Sequence, residues 1–257
     1  MYVDIDAEDV LMADSFGIFL GLPHTKEALV GTIDGTNKDF QVANYPIYPR
    51  SGLSILPQVS DVDVFGRKGS VDTPLTAGSI KTLTDAKTGD SVDGIIELST
   101  APVKDSVDNI VTNYVEELQP FVTTNISPTV KQTTKDVSRV YSTTKLTAYG
   151  DIDIQVKLDQ TVSRNSIEVM RRLLYEAYSG PGTVATGYKA YDLRKKPQSL
   201  YGYITMKYDE DFLGRIYMES CKLSPDLPGA KGGDVGSYSL NMSVASNPRL
   251  LMPDVTA

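Results

Sequence analysis

The chain has 257 residues, 40% of them hydrophobic and 23% charged, with a net charge of −8 and a pI near 4.7. That length allows one large domain or two ordinary ones, and the composition is that of a globular protein able to build a core. No apolar run approaches the roughly 20 residues that span a bilayer. So acidic a chain is poorly suited to gripping nucleic acid, because duplex binding needs Lys and Arg to displace counterions.

In chain order, the first 14 residues, MYVDIDAEDVLMAD, carry Asp4, Asp6, Glu8, Asp9 and Asp14 and no Lys or Arg. A secretory signal opens with positive charge, so synthesis in the cytosol without an export address is expected. Residues 1–28 read as an N-terminal arm and the first part of a main domain, with an apolar cluster at Phe16, Ile18, Phe19 and Leu20.

Residues 29–107 are dense in turn signals: DGT at 34–36, SG at 51–52, GRKG at 66–69, AG at 77–78, TGD at 88–90 and DG at 93–94. Between them, Phe40–Val42, Leu53–Leu56, Val62–Phe65, Ile80–Leu83 and Ile95–Leu98 are fit for short strands. Close spacing of short strands predicts a small all-β domain, inserted and external.

Residues 108–257 form the predicted main domain. Its first part, to Tyr149, is rich in Thr, Val and Ser and interrupted by Pro120 and Pro128. That composition predicts strands plus a reaching loop within 120–149. In DIDIQVKLD (151–159), Ile152, Ile154, Val156 and Leu158 alternate with Asp151, Asp153, Gln155 and Lys157, which is a strand with one face buried and one wet.

The period then changes. Ile167, Met170, Leu174 and Tyr178 recur at helical spacing, Asn165 and Glu168 can form a capping box, and Gly180-Pro181 ends the run. One helix is predicted over 166–179. YGYITMKYD (201–209) and LGRIYMESCKL (213–223) read as a hairpin, and Tyr238, Leu240, Met242 and Val244 mark the apolar face of a last strand. The predicted fold class is mainly β: a sandwich or barrel with one packed helix, plus the small inserted β domain.

Catalytic and metal motifs are scarce. Cys221 is the only cysteine and His24 the only histidine, the latter read as a loop residue in GLPHTK. The pairs Asp4/Asp6, Asp61/Asp63, Asp151/Asp153 and Asp209/Asp211 lack the Gly and distal Glu of an EF-hand loop, and residues two apart on a strand simply share a wet face. GPGTVATG (180–187) follows a helix and lacks the Lys-Ser/Thr of a phosphate loop. Basic residues gather at Lys189 and Arg194–Lys196, and at Lys131, Lys135 and Arg139, where an acidic neighbouring subunit is a better match than nucleic acid. The reading is a non-enzyme with no cofactor or metal.

Two phrases carry a resemblance. GTIDGTNKDFQVANYPI runs from Gly31 to Ile47, and DGIIELSTAP from Asp93 to Pro102. Each has its own physical reading: Asp34-Gly35 and Asp93-Gly94 as turns, Phe40 and Val42 as core, Pro46 as a strand stop, Ile96 and Leu98 on one face. Together they resemble a small β-rich module of tailed-virus structural proteins. The organisation of the rest is similar to tail tube proteins.

That resemblance implies subunits that close, ring by ring, into a continuous inner β-barrel through which viral DNA passes. It also implies hexameric rings, a long loop or arm reaching the next ring, and location in the virion tail. The implied partners are the chain itself, the tape measure and other tail proteins, and DNA in transit only. No membrane is implied. Asp151 and Asp153 are the candidate lumen-facing residues, since a carboxylate lining repels phosphates and lets DNA slide. Two alternatives remain at this level. One is another virion component, such as a tail terminator, baseplate or decoration protein. The other is a carbohydrate- or receptor-binding protein, supported by 15 Tyr against 6 Phe.

Overall fold

Alternating apolar and polar residues build strands, and strands dominate the computed structural model. It describes residues 15–86, 88–118, 123–138, 145–161, 171–178, 180, 183–187, 189–193, 198–208, 211–225, 237–244 and 249–253. The fold is mainly β, antiparallel throughout the described residues, with one helix. The strands are β1 (Ser15–Ala28), β2 (Asp39–Gln41), β3 (Asp63–Lys68), β4 (Val71–Leu75), β5 (Ala77–Thr84), β6 (Ser91–Leu98), β7 (Asn109–Leu118), β8 (Thr123–Ser138), β9 (Lys145–Thr161), β10 (Tyr175–Ala177), β11 (Tyr191–Leu193), β12 (Leu200–Tyr208), β13 (Asp211–Pro225), β14 (Ser237–Val244) and β15 (Arg249–Leu251).

One large sheet runs β4-β3-β7-β1-β12-β13-β14-β9-β8, with β15 also beside β13. Residues 15–28 of the N-terminal segment thus supply a strand deep in the sheet, between β7 and β12. Ile18, Leu20 and Leu22 of β1 point to the side that carries the helix. They share a core with Leu200 and Ile204 of β12, Met218 and Leu223 of β13, Met242 and Val244 of β14 and Val156 of β9. Leu173 and Leu174 of the helix seal that core. Each such side chain, fully buried, contributes about 1.5–3 kcal/mol. The opposite face is aromatic: Phe19, Tyr201, Tyr203 and Tyr217, with Tyr48 from the preceding loop and Val115 of β7.

The smaller sheet, β2-β6-β5, is where the two quoted phrases meet. Phe40 stands opposite Ile96. The Val42 N–H donates to the Gly94 carbonyl at 3.0 Å, Ile47 N–H to Asp93 at 2.9 Å and Gly35 N–H to Pro102 at 3.0 Å. Phe40, Val42, Ile96 and Leu98 are buried in one cluster with Val62, Val64 of β3 and Ile110, Tyr114 of β7. The Asp34 carboxylate accepts the N–H groups of Thr36 and Asn37, both at 2.8 Å, which locks the expected first turn.

Four local expectations are corrected. Asp93-Gly94 is no turn: both lie inside β6, at a register shift against β5. Leu53–Leu56 forms no strand, because side chains rather than a neighbouring strand take the carbonyls of its loop. The helix stops earlier than 179. Residues 171–174 are helical, but Tyr175–Ala177 is β10, paired with β11, and the Tyr178 N–H continues to the Ala190 carbonyl. Its predicted start, with Ile167 and Met170, lies outside the described residues. Finally, the hairpin turn near 210–212 is tighter than predicted, since Tyr208 already faces Asp211.

Candidate functional site

The predicted lumen-facing residues Asp151 and Asp153 both stand on β9, and the backbone of Asp153 lies opposite Lys131 of β8. The direction of their side chains lies outside the described residues. Further along the strand Val156 is buried while Gln155 and Lys157 are exposed, so the predicted alternation holds there.

In place of the reaching loop, β8 and β9 pair as a long hairpin from Thr123↔Gln160 to Ser138↔Lys145. The third strand, β14, accompanies β9 only as far as Val244↔Ile154. Among the described residues, 131–138 and 145–153 therefore form a two-stranded ribbon beyond the edge of the three-stranded part. Such ribbons are marginal in water when nothing covers them. Among the described residues, no strand pairs with the outer edge of β8 or of β4.

A second feature was illegible in the sequence. The strand NIVTNYVEEL (β7) carries adjacent glutamates whose side chains leave opposite faces of the sheet. Glu116 points to the helix side. The His24 Nε2 lies 2.9 Å from its Oε2, and the Arg172 guanidinium from the helix grips both of its oxygens at 2.7 and 2.5 Å. Burial pushes the Glu116 carboxyl up, but the bonds from His24 and Arg172 outweigh it and hold the group below the usual carboxylate range.

His24 is thus no loop residue. It sits on β1 at a bulge, stacked on Tyr114 with ring centroids 5.0 Å apart. Tyr114 donates to Glu27, which also accepts Asn44 Nδ2 at 2.8 Å. His24, Glu27, Asn44, Tyr114, Glu116 and Arg172 each bond a partner in another segment, so the cluster clamps β1, β7, the 44–48 loop and the helix together. It offers no poised nucleophile.

Glu117 faces the aromatic side. It accepts the Tyr203 hydroxyl at 2.8 Å, and burial raises its carboxyl above the usual range. The Arg215 guanidinium lies 4.1 Å from the Tyr203 ring centroid. Tyr48, Tyr114, Tyr203 and Tyr217 are all buried, so these tyrosines serve packing and are not available to stack on a sugar.

Of the Asp pairs, Asp61 is wholly buried while Asp63 is exposed, so this pair shares no wet face. Asp4/Asp6 and Asp209 lie outside the described residues. Among the described residues no group of three or more His, Cys, Asp or Glu side chains is disposed to hold a metal ion, and no helix is long and apolar enough to cross a membrane. No protein-family model matches the chain, and no curated protein matches it significantly.

Proposed function

We propose that this chain is a structural protein of a tailed virus: a tail tube subunit that assembles into stacked, hexameric rings and forms a conduit for viral DNA. The observation that carries the reading is the β8–β9 ribbon together with the outer edges of β4 and β8, which pair with no other strand among the described residues. Unpaired edges invite pairing with another chain, and a bare two-stranded ribbon gains order only when a neighbour covers it. Both needs are met by copies of the same subunit, one beside it in the ring and one in the next ring. The acidic balance suits a bore through which phosphates must slide without sticking. In this reading the tape measure and other tail proteins are its further partners, and the tail of the virion its location.

Negative-stain electron microscopy of the purified protein, with mass from light scattering, tests the proposal. Rings or tubes with an open bore are the expected result. A monodisperse monomer at every concentration would sink it. Asp151→Lys with Asp153→Lys should impair DNA delivery, with tube formation by the variant checked under the same microscope because both residues stand on the ribbon. Unchanged infectivity would remove these two residues from the lining.

A further inference from the structure

We propose that β4 is a guarded edge: Pro74 closes the large sheet to strand addition on that side, so that strand pairing between copies is confined to the β8 side. The guard follows from β4 itself. That the strand arriving at β8 comes from a second copy rests on the assembly reading above.

The register fixes which backbone groups of β4 look outward. Gly69, at φ 58°, and Ser70 form a two-residue turn that closes β3 on β4 at Lys68↔Val71. Such a turn closes on a hydrogen-bonded pair, and the two kinds of pair then alternate along the ladder. Gly66↔Thr73 and Val64↔Leu75 are therefore hydrogen-bonded pairs, whereas Arg67↔Asp72 and Phe65↔Pro74 are not. The Arg67 carbonyl has the same parity, since it turns away from β4 to accept the Asp108 N–H at 2.7 Å. The groups directed to the outer edge are thus those of Asp72 and Pro74. Proline has no N–H, so this edge offers a single donor, and the ring stands where an arriving strand would place its carbonyl.

Other features of β4 act in the same direction. The strand has only five residues. Asp72 keeps a charge beside the edge, held by Lys26 and by Arg67 Nε at 2.7 Å. Past Leu75 the chain turns off the edge: the Thr76 carbonyl accepts the Ser99 N–H at 3.0 Å, and Ala77 opens β5 in the smaller sheet. Short length, charge and proline are the means by which an edge is kept from pairing. Pro74 is exposed, so packing in the core does not call for a proline there. The other end of the sheet is different. β8 has 16 residues, and beyond Pro128 its stretch 129–138 contains no proline.

Pro74→Val restores the missing N–H at an exposed position. Sedimentation velocity over a concentration series compares it with wild type, and hydrogen exchange locates the strands that meet. Melting curves check the fold, and Pro74→Thr stands in if valine unfolds the chain. The variant is expected to associate at a concentration about tenfold lower than wild type, as for one or two added backbone hydrogen bonds. Its amides at 72 and 74 should be protected in the associated state alone. Unchanged association in a folded variant, or tighter association that leaves 71–75 exchanging freely, would overturn the guard. A wild type that stays monomeric while the variant associates through 71–75 would uphold the guard and sink the tube reading. In wild-type assemblies exchange should slow in 129–138 and not in 71–75, and slowing in 71–75 would overturn the confinement to β8.

Discussion

Glu116 and Glu117 are neighbours in sequence with opposite faces, and their environments give them opposite pH dependence. The Glu116 carboxyl is held low by His24 and Arg172 against the upward push of burial. Its contribution is therefore complete above the ordinary carboxylate range, near 4.3, and is lost as pH falls through its lowered folded value. Glu117 is held high by burial, so it favours the fold below the ordinary range and loses that contribution as pH rises through its raised folded value. Glu116→Gln should thus destabilise the protein at pH 7 by about 3 kcal/mol, since it breaks a buried ion pair from one side. That deficit should shrink in acid. Glu117→Gln keeps an acceptor for the Tyr203 hydroxyl and should stabilise the protein at pH 7, with the gain vanishing below pH 4. Urea denaturation at the two pH values reads both signs. None of this was legible in the sequence, where Glu-Glu in an apolar strand gives no sign of what each carboxylate meets.

At the scale of elements, alternation was a good guide and local punctuation a poorer one. The 151–159 strand follows from its period of two, whereas the 201–223 hairpin buries both faces, Ile204 and Met218 on one and Tyr203 and Tyr217 on the other. The helix was overextended because Tyr178 fits its spacing, yet a three-residue pairing with β11 claims the backbone of Tyr175–Ala177. Strand β1 escaped notice because GLPHTKEA breaks the pattern, through a bulge at His24–Glu27 that only the neighbouring β7 reveals. How tightly β1 is held can be tested with two glycines. A Cβ on Gly21 would lie 2.6 Å from Val115 Cγ1, 3.0 Å from Tyr201 Cβ and 3.1 Å from Tyr48 Cδ2. On Gly202 the nearest atom would be Met218 Cε at 3.5 Å, an ordinary contact. Gly21→Ala should cost about 1–3 kcal/mol through overpacking, whereas Gly202→Ala should be tolerated, and thermal melts separate the two.

For the whole molecule, the mainly-β class follows from composition and period, but the joining of distant segments does not. The quoted phrases read as separate turn-and-strand units. They are in fact zipped to one another across the 45 residues between them, because Phe40 and Ile96 need the same core. The ribbon raises the same issue beyond the single chain, since its outer strand has no described partner in this molecule. If the ribbon serves assembly, it should be dispensable for folding. Replacing residues 132–152 by an Asn-Gly turn would keep the pairs from Val130↔Ile154 to Thr123↔Gln160, and β14 would still cover β9. The shortened chain is expected to melt within a few degrees of wild type, because no third strand pairs with the removed segment among the described residues, and to form no tubes under the microscope. Tubes of wild-type length from the shortened chain would show that stacking runs through another surface. A collapse in melting temperature would instead make the ribbon part of the folded core, and its projection beyond β14 would then need an intramolecular explanation.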